Sequence, residues 1–153
     1  KGIGQVKACE ILAAIELGKR LNEKITCINQ IKVYSSDSIY EYYKDKLNDK
    51  KQEHFYCVYL DTKNHIIKDK LLFIGTINES LIHPREIFKE AYLLSASSVI
   101  CVHNHPSGNA NPSNNDILMT KQLQEVGKIL GIKVLDHIII GKDVYFSFND
   151  NGF

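Results

Sequence analysis

Apolar and polar positions alternate along this chain in two different periods, and the change of period divides it. Residues 4 to 21 carry Ala8, Ile11, Leu12 and Ile15 at helical spacing, with Gly18 near the end. Residues 22 to 34 read as a linker leading into a short strand, Ile31 to Tyr34. Ser35-Ser36-Asp37 then caps a helix that places Ile39, Tyr42, Tyr43 and Leu47 on one face. From Glu53 the period becomes that of a strand. His54 to Leu60 and Ile66 to Ile74 flank a turn at Asp61 to Asn64, which predicts a hairpin ended by Gly75. After a polar loop, His83-Pro84 opens a helix with Pro at its first position, and Ile87, Ala91 and Leu94 mark its buried face. Val99 to Val102 is an apolar run that delivers His103 and His105 into a loop holding Pro106, Gly108 and Pro112. Ser113 and Asp116 open the next helix, whose Met119, Leu123, Val126 and Leu130 recur in helical steps until Gly131. Val134 to Ile140, a turn at Gly141 to Asp143, and Val144 to Phe148 give a closing hairpin. Hairpin, helix, strand, helix, hairpin predicts a mixed sheet with helices packed on it, an α/β or α+β fold. No internal repeat or low-complexity segment interrupts it.

Composition adds little to this picture but excludes some classes. With 153 residues, 44% hydrophobic and 24% charged, the chain suits one globular domain with a small appendage. A net charge of +1 argues neither for nor against a polyanionic partner. No apolar run approaches membrane-spanning length and no secretory pattern is visible, so no membrane role is expected. Residue 1 is Lys rather than Met, and the true start is expected to lie upstream. Cys9, Cys27, Cys57 and Cys101 are scattered singly, which suits reduced thiols in a cytoplasmic protein rather than a disulfide framework or a zinc finger.

The chemistry concentrates between Ser98 and Asp116. Residues i and i+2 of a strand share a face, so His103 and His105 can converge on one point. Asp116 reaches that point from the first turn of the following helix. Two imidazoles, one carboxylate and an open fourth position make a catalytic zinc site rather than a closed structural one. Ser113-x-x-Asp116 also has the form of a capping box, which would explain both residues by itself. The two readings are compatible, because a carboxylate in a first helical turn is held rigidly. Cys101 shares the face of the histidines but lies too far along the strand for one tetrahedral ion, and it is expected in the core.

A hydrolytic site needs a general base, for which Glu53, Glu79, Glu86 and Glu90 are candidates. Glu86 and Glu90 sit near a helix start, where acids are expected in any case. Glu53 begins a strand, whose end can look into a site on neighbouring strands. Asp136-His137 begins another apolar strand and reads as a buried hydrogen-bonded pair, with support of a metal ligand as the other reading. Tyr42 and Tyr43 have the spacing of a core stripe rather than of a nucleic-acid stacking platform. Gly2-Ile3-Gly4 with Lys7 could offer amides to a phosphate, and reads more simply as a plain loop before a helix. The H-x-E and P-C-x-x-C pair of a nucleobase deaminase is missing.

The segment H-x-H-x7-S-x2-D, here His103, His105, Ser113 and Asp116, resembles the JAMM motif of the JAB/MPN metalloprotease superfamily. The strings HNHPSG and PS-x-x-D, with His83-Pro84-Arg85-Glu86-Ile87 and Asp136-His137-Ile138-Ile139, are similar to its bacterial RadC-like branch, where Asn104 between the histidines is usual. This likeness spans roughly residues 30 to 153. It implies a mixed sheet flanked by helices, of cytidine-deaminase-like architecture, over residues 28 to 153. It further implies Zn²⁺ on His103, His105 and Asp116, Glu53 as general base, and the Ser113 hydroxyl as a stabiliser of the oxyanion. The implied activity is that of a zinc-dependent peptidase or isopeptidase on a peptide or protein substrate. Roughly twenty residues separate Asp116 from Asp136, which leaves no room for the substrate-clamping insertion of ubiquitin-cleaving relatives. Residues 1 to 27, with Gly2-Ile3-Gly4, Lys7-Ala8 and Glu16-Leu17-Gly18, resemble the tail of a helix-hairpin-helix region plus a linker. That likeness implies DNA binding through a complete N-terminal region, and with it the alternative of a DNA-associated repair or recombination accessory protein. An inactive scaffold that binds protein partners is a further alternative, against which the complete ligand set argues.

Overall fold

The first strand pair sets the frame. A computed structural model of the chain describes residues 4–25, 31–75 and 83–153. β1 (Glu53–Leu60) and β2 (Ile66–Gly75) form an antiparallel hairpin around a turn held by Asp61. The Asp61 carboxylate accepts from the amides of Lys63 at 2.7 Å and His65 at 2.9 Å, and Asn64 takes a positive φ of 63°. β3 (Ser98–Asn104) pairs antiparallel with β1 and parallel with β4 (Lys133–Ile140). The parallel step is made by α4 (Asn114–Leu130), which crosses over the sheet between them. β5 (Tyr145–Ser147) closes the order β2-β1-β3-β4-β5. The fold is the mixed α/β arrangement that the periodicity predicts.

Every residue of β3 is buried, because helices cover both faces of the sheet. On one side α2 (Ser36–Leu47) packs Ile39, Tyr43 and Leu47 onto Tyr56, Val58, Val102 and Ile138. Each such aliphatic side chain contributes roughly 1.5–3 kcal/mol of burial. Tyr43 lies in that core and donates its hydroxyl to Asp69 at 2.9 Å, so the tyrosines form a core stripe and not a stacking surface. On the other side α3 (Pro84–Leu93) and α4 bring Ile87, Phe88, Ala91 and Leu123 against Phe55, Cys57, Val99 and Cys101. Alternation along β3 that sends Val99 and Cys101 to this second side sends His103 there too.

Several expectations change. α1 (Gln5–Ile25) runs further than the pattern suggests, so residues 22–25 are helical and not linker. Its Ile11, Leu12 and Ile15 are 44–66% exposed; helical spacing set their common face but nothing among the described residues covers it. Residues 31–34 contribute a single bridge, Lys32 to His65, instead of a strand, held by Val33 N to Asn64 O and Ile66 N to Ile31 O at 2.9 Å each. The buried stripe of α4 is Asp116, Thr120, Leu123 and Gly127, and Leu130 is exposed, because the stripe starts from the polar site and not from the apolar run. The last strand is three residues long; the chain turns away where Phe148 N donates to the His137 carbonyl at 3.0 Å. Gly2, Ile3 and Glu79 lie outside the described residues. Among the described residues no helix is long and apolar enough to cross a membrane.

Candidate metal centre

Three side chains meet where β3 ends and α4 begins. His103 is the last but one residue of β3, and His105 follows two positions later in the loop. The capping box at the start of α4 sets the third: Ser113 Oγ accepts from Asp116 N at 3.2 Å, and Asp116 Oδ2 accepts from Ser113 N at 2.8 Å. The single hydroxyl hydrogen of Ser113 also goes to Asp116 Oδ2, at 2.6 Å. The metal-ligand and capping readings of the sequence therefore describe one geometry.

The Nε2 atoms of His103 and His105 are 3.0 Å apart. Asp116 Oδ1 lies 3.4 Å from the first and Asp116 Oδ2 3.5 Å from the second. Among the described residues this is the group of His, Cys, Asp and Glu side chains whose ligand atoms all come within 4.8 Å of one another. His105 Nδ1 is 2.8 Å from the carbonyl oxygen of Asn109, which has no hydrogen to give. His105 therefore carries a hydrogen on Nδ1, which leaves Nε2 as the nitrogen that can take an ion in the site. Asp116 Oδ1 is buried and has no hydrogen-bond partner. A buried, unpaired carboxylate oxygen is costly unless a cation faces it. Two imidazole nitrogens and a carboxylate oxygen are the donor set that zinc takes in catalytic sites, so the residues fit the ion.

The electrostatics agree with a cation-seeking cluster. Burial pushes His103 well below the usual imidazole range, helped by the neighbouring His137 and opposed by the Asp116 charge. Burial alone would lower His105 too, but the hydrogen bond and charge of Asp116, the contact with Asn109 and the charge of Glu53 raise it. Burial would raise Asp116; the nearby His105 ring, the charge of His103 and the bonds from Ser113 outweigh it and hold the carboxyl below the carboxylate range. Burial holds His137 down at about 4, so it is neutral at physiological pH.

The candidate bases separate clearly. Phe55 pairs directly with His103, so Glu53, two residues earlier on β1, lies on the face that carries His103 and His105, and its charge acts on His105. The structure thus brings Glu53 to the site. Glu86 is bonded to Arg85 at 3.1 Å, and Glu90 holds Lys68 and Lys70 at 2.8 and 2.7 Å, which push its carboxyl down to about 2. Cys101 is fully buried opposite Cys57, as its spacing implies.

Asp136 and His137 are the buried hydrogen-bonded pair that the sequence suggests, His137 N donating to Asp136 Oδ1 at 2.7 Å, but their side chains serve different places. Asp136 accepts from Ser147 Oγ at 2.6 Å and from Asn149 N at 3.0 Å, anchoring the C-terminal turn. The ring of His137 instead contacts His103 Nδ1 at 2.8 Å and Thr120 Oγ1 at 2.7 Å. Neighbours on a strand diverge to opposite faces, and that rule is the signal that separates them. Thr120 was not singled out by the sequence, although it stands one helical turn after Asp116. Asn104 fastens the neighbouring strand. Its side chain accepts from His54 N at 2.8 Å and donates to Gln52 O at 3.2 Å, pinning the start of β1 beside Glu53.

Comparison with known proteins agrees with this geometry. The family model described as RadC-like JAB domain matches residues 33–153. A UPF0758 protein of Shouchella clausii is 49% identical over 152 residues, covering 99% of this chain and 66% of that protein. UPF0758 proteins of Geobacillus kaustophilus, at 48% over 153 residues, and Bacillus cereus strain B4264, at 46% over 151, are similar along 67% of their lengths. The chain therefore spans about two thirds of the length of the curated relatives it matches. The match runs through the whole sheet and across the three-residue cluster, and with it the chain belongs to the RadC-like JAB domain family.

Proposed function

We propose that this protein is a zinc-dependent hydrolase that cleaves a peptide or isopeptide bond in a peptide or protein substrate. The observation that supports it most is the convergence of the His103 and His105 Nε2 atoms and the unpartnered Asp116 Oδ1 on one point, with the charge of Glu53 acting on His105. His103, His105 and Asp116 would hold the zinc. When bound, zinc supplies a Lewis acid to the scissile carbonyl and to the attacking water. Glu53 takes the proton of that water and returns it to the leaving amine. The Ser113 hydroxyl stabilises the oxyanion, which requires its hydrogen to turn from Asp116 Oδ2 toward the new negative charge. The free Cys9 and buried, free Cys57 and Cys101 support a cytoplasmic location.

Glu53→Gln tests the chemistry apart from the fold. The zinc-loaded protein is screened on a peptide and isopeptide library, and the best substrate is assayed with the variant. Zinc content should be unchanged and kcat reduced by about 10²–10⁴, the usual contribution of general acid–base catalysis. Full activity in Glu53→Gln contradicts the assignment of the base.

A further inference from the structure

We infer that Thr120 and His137 are positioning residues that decide which nitrogen of His103 is presented to the metal. This rests on the metal reading above and deepens it. The chain of contacts has one consistent direction. Thr120 Oγ1 lies 2.6 Å from the main-chain carbonyl oxygen of Asp116, which can only accept, so the single hydroxyl hydrogen of Thr120 is committed there. Thr120 Oγ1 can then only accept from His137 Nδ1, 2.7 Å away, and this places the one hydrogen of the fully buried His137 ring on Nδ1. His137 Nε2 is left bare and faces His103 Nδ1 at 2.8 Å. That contact is a hydrogen bond only if His103 carries its hydrogen on Nδ1. His103 Nε2 is therefore the bare nitrogen, and it is the atom that faces His105 and Asp116.

The sequence of donors runs His103 Nδ1–H to His137 Nε2, His137 Nδ1–H to Thr120 Oγ1, and Thr120 Oγ1–H to the Asp116 carbonyl. It starts at one candidate ligand and ends on the backbone of another, so β3 and the first turn of α4 are tied through it. Reversing any bond leaves two acceptors or two hydrogens face to face. Thr120, His103 and His137 are all buried, so bulk water does not substitute for a missing partner. Ring packing fixes the planes as well: Phe148 stacks on His137 with centroids 5.0 Å apart, and Phe55 on His103 at 5.9 Å. Partners of this kind orient a metal-binding imidazole and raise its basicity, and their loss typically costs 10–100-fold in metal affinity.

Two measurements test this. In metal-free protein with ¹⁵N-labelled histidine, at mildly alkaline pH, two-bond proton–nitrogen correlations should show His103 and His137 each with a protonated Nδ1 and a bare Nε2. A hydrogen on His103 Nε2 overturns the inference without any variant being made. Chelator competition then compares zinc affinity in Thr120→Val and Thr120→Ser. The valine variant should bind zinc roughly 10–100-fold more weakly with a mixed His103 tautomer, and serine should restore both. A folded Thr120→Val protein with unchanged affinity and tautomer also overturns it. Wild-type protein that takes up no zinc contradicts the hydrolase reading instead, and the tautomer in that same sample still decides the inference.

Discussion

Gly141 stands at the turn between β4 and β5 with no space for a side chain, and alanine there should reach the metal centre indirectly. A Cβ on Gly141 would lie 2.4 Å from the Gly108 carbonyl oxygen, 2.9 Å from Ala110 N and 3.0 Å from Val144 Cγ1. Ordinary contact begins at 3.4 Å, so a gap of about 1 Å must open against main-chain atoms that cannot rotate aside. β4 is hydrogen-bonded on both sides, whereas residues 106–112 lie outside helix and strand, so the loop is the part that yields. That displacement stretches Asn109 O to His105 Nδ1 from 2.8 Å toward roughly 3.8 Å, past hydrogen-bonding range, and strains Lys142 N to Gly108 O as well. Overpacking should cost about 1–3 kcal/mol of stability. Losing the partner that orients His105 should lower zinc affinity by roughly 10–100-fold, equivalent to about 1.4–2.7 kcal/mol. Urea unfolding reads the first effect and chelator competition the second. Gly131→Ala is the control: its φ of 70° makes a side chain strained, but no atom lies within 4 Å and it is remote from the site, so stability should fall by about 1 kcal/mol with zinc affinity unchanged. A Gly141→Ala protein that binds zinc as tightly as wild type refutes the link between loop position and His105.

Ser113→Ala separates capping from catalysis: loss of the cap should cost about 1 kcal/mol in thermal or urea unfolding, while turnover at equal zinc loading should fall by roughly 10². A change in stability alone would leave Ser113 as a helix cap. Glu90 gives a pH signature away from the site. Its carboxyl is depressed to about 2 by Lys68 and Lys70, so its contribution is complete above the unfolded value near 4.5 and disappears as pH falls toward 2. Both lysines are more than two-fifths exposed, which limits the effect to about 1 kcal/mol. Glu90→Gln should therefore destabilise the protein at pH 7 and become indistinguishable from wild type near pH 2 in urea unfolding followed across that range.

The parts of this protein that were readable from its sequence are those fixed by short-range geometry. Period-2 alternation brings His103 and His105 to one face, and the Ser113-x-x-Asp116 spacing fixes Asp116 in the first turn of α4. Pro84 after His83, and Gly131 with its positive φ, likewise marked helix ends through local backbone preference. What escaped depended on what lies across the sheet. His137 and Thr120 are 17 residues apart and meet only because α4 crosses over from β3 to β4. Adjacent Asp136 and His137 are joined through the His137 amide, yet adjacency does not show that one side chain secures the C-terminal turn and the other the metal side. The apolar spacing of α1 announced a helix correctly, but spacing says nothing of what covers a face, and Ile11, Leu12 and Ile15 are exposed. Leu130 fits the rhythm of α4 and is exposed for a related reason: the stripe that is buried begins with the polar Asp116 and Thr120.

The hydrolase reading depends on His103, His105 and Asp116 holding zinc, and metal content is the direct check. Protein purified without chelator, and its Asp116→Ala variant, are compared by elemental analysis alongside circular dichroism to confirm folding. About one zinc per wild-type chain is expected, the stoichiometry of a single three-ligand catalytic site, with its loss in the folded variant. Absence of zinc from the wild type, even after zinc is supplied, would rule the site out and leave Ser113 and Asp116 as the cap of a helix.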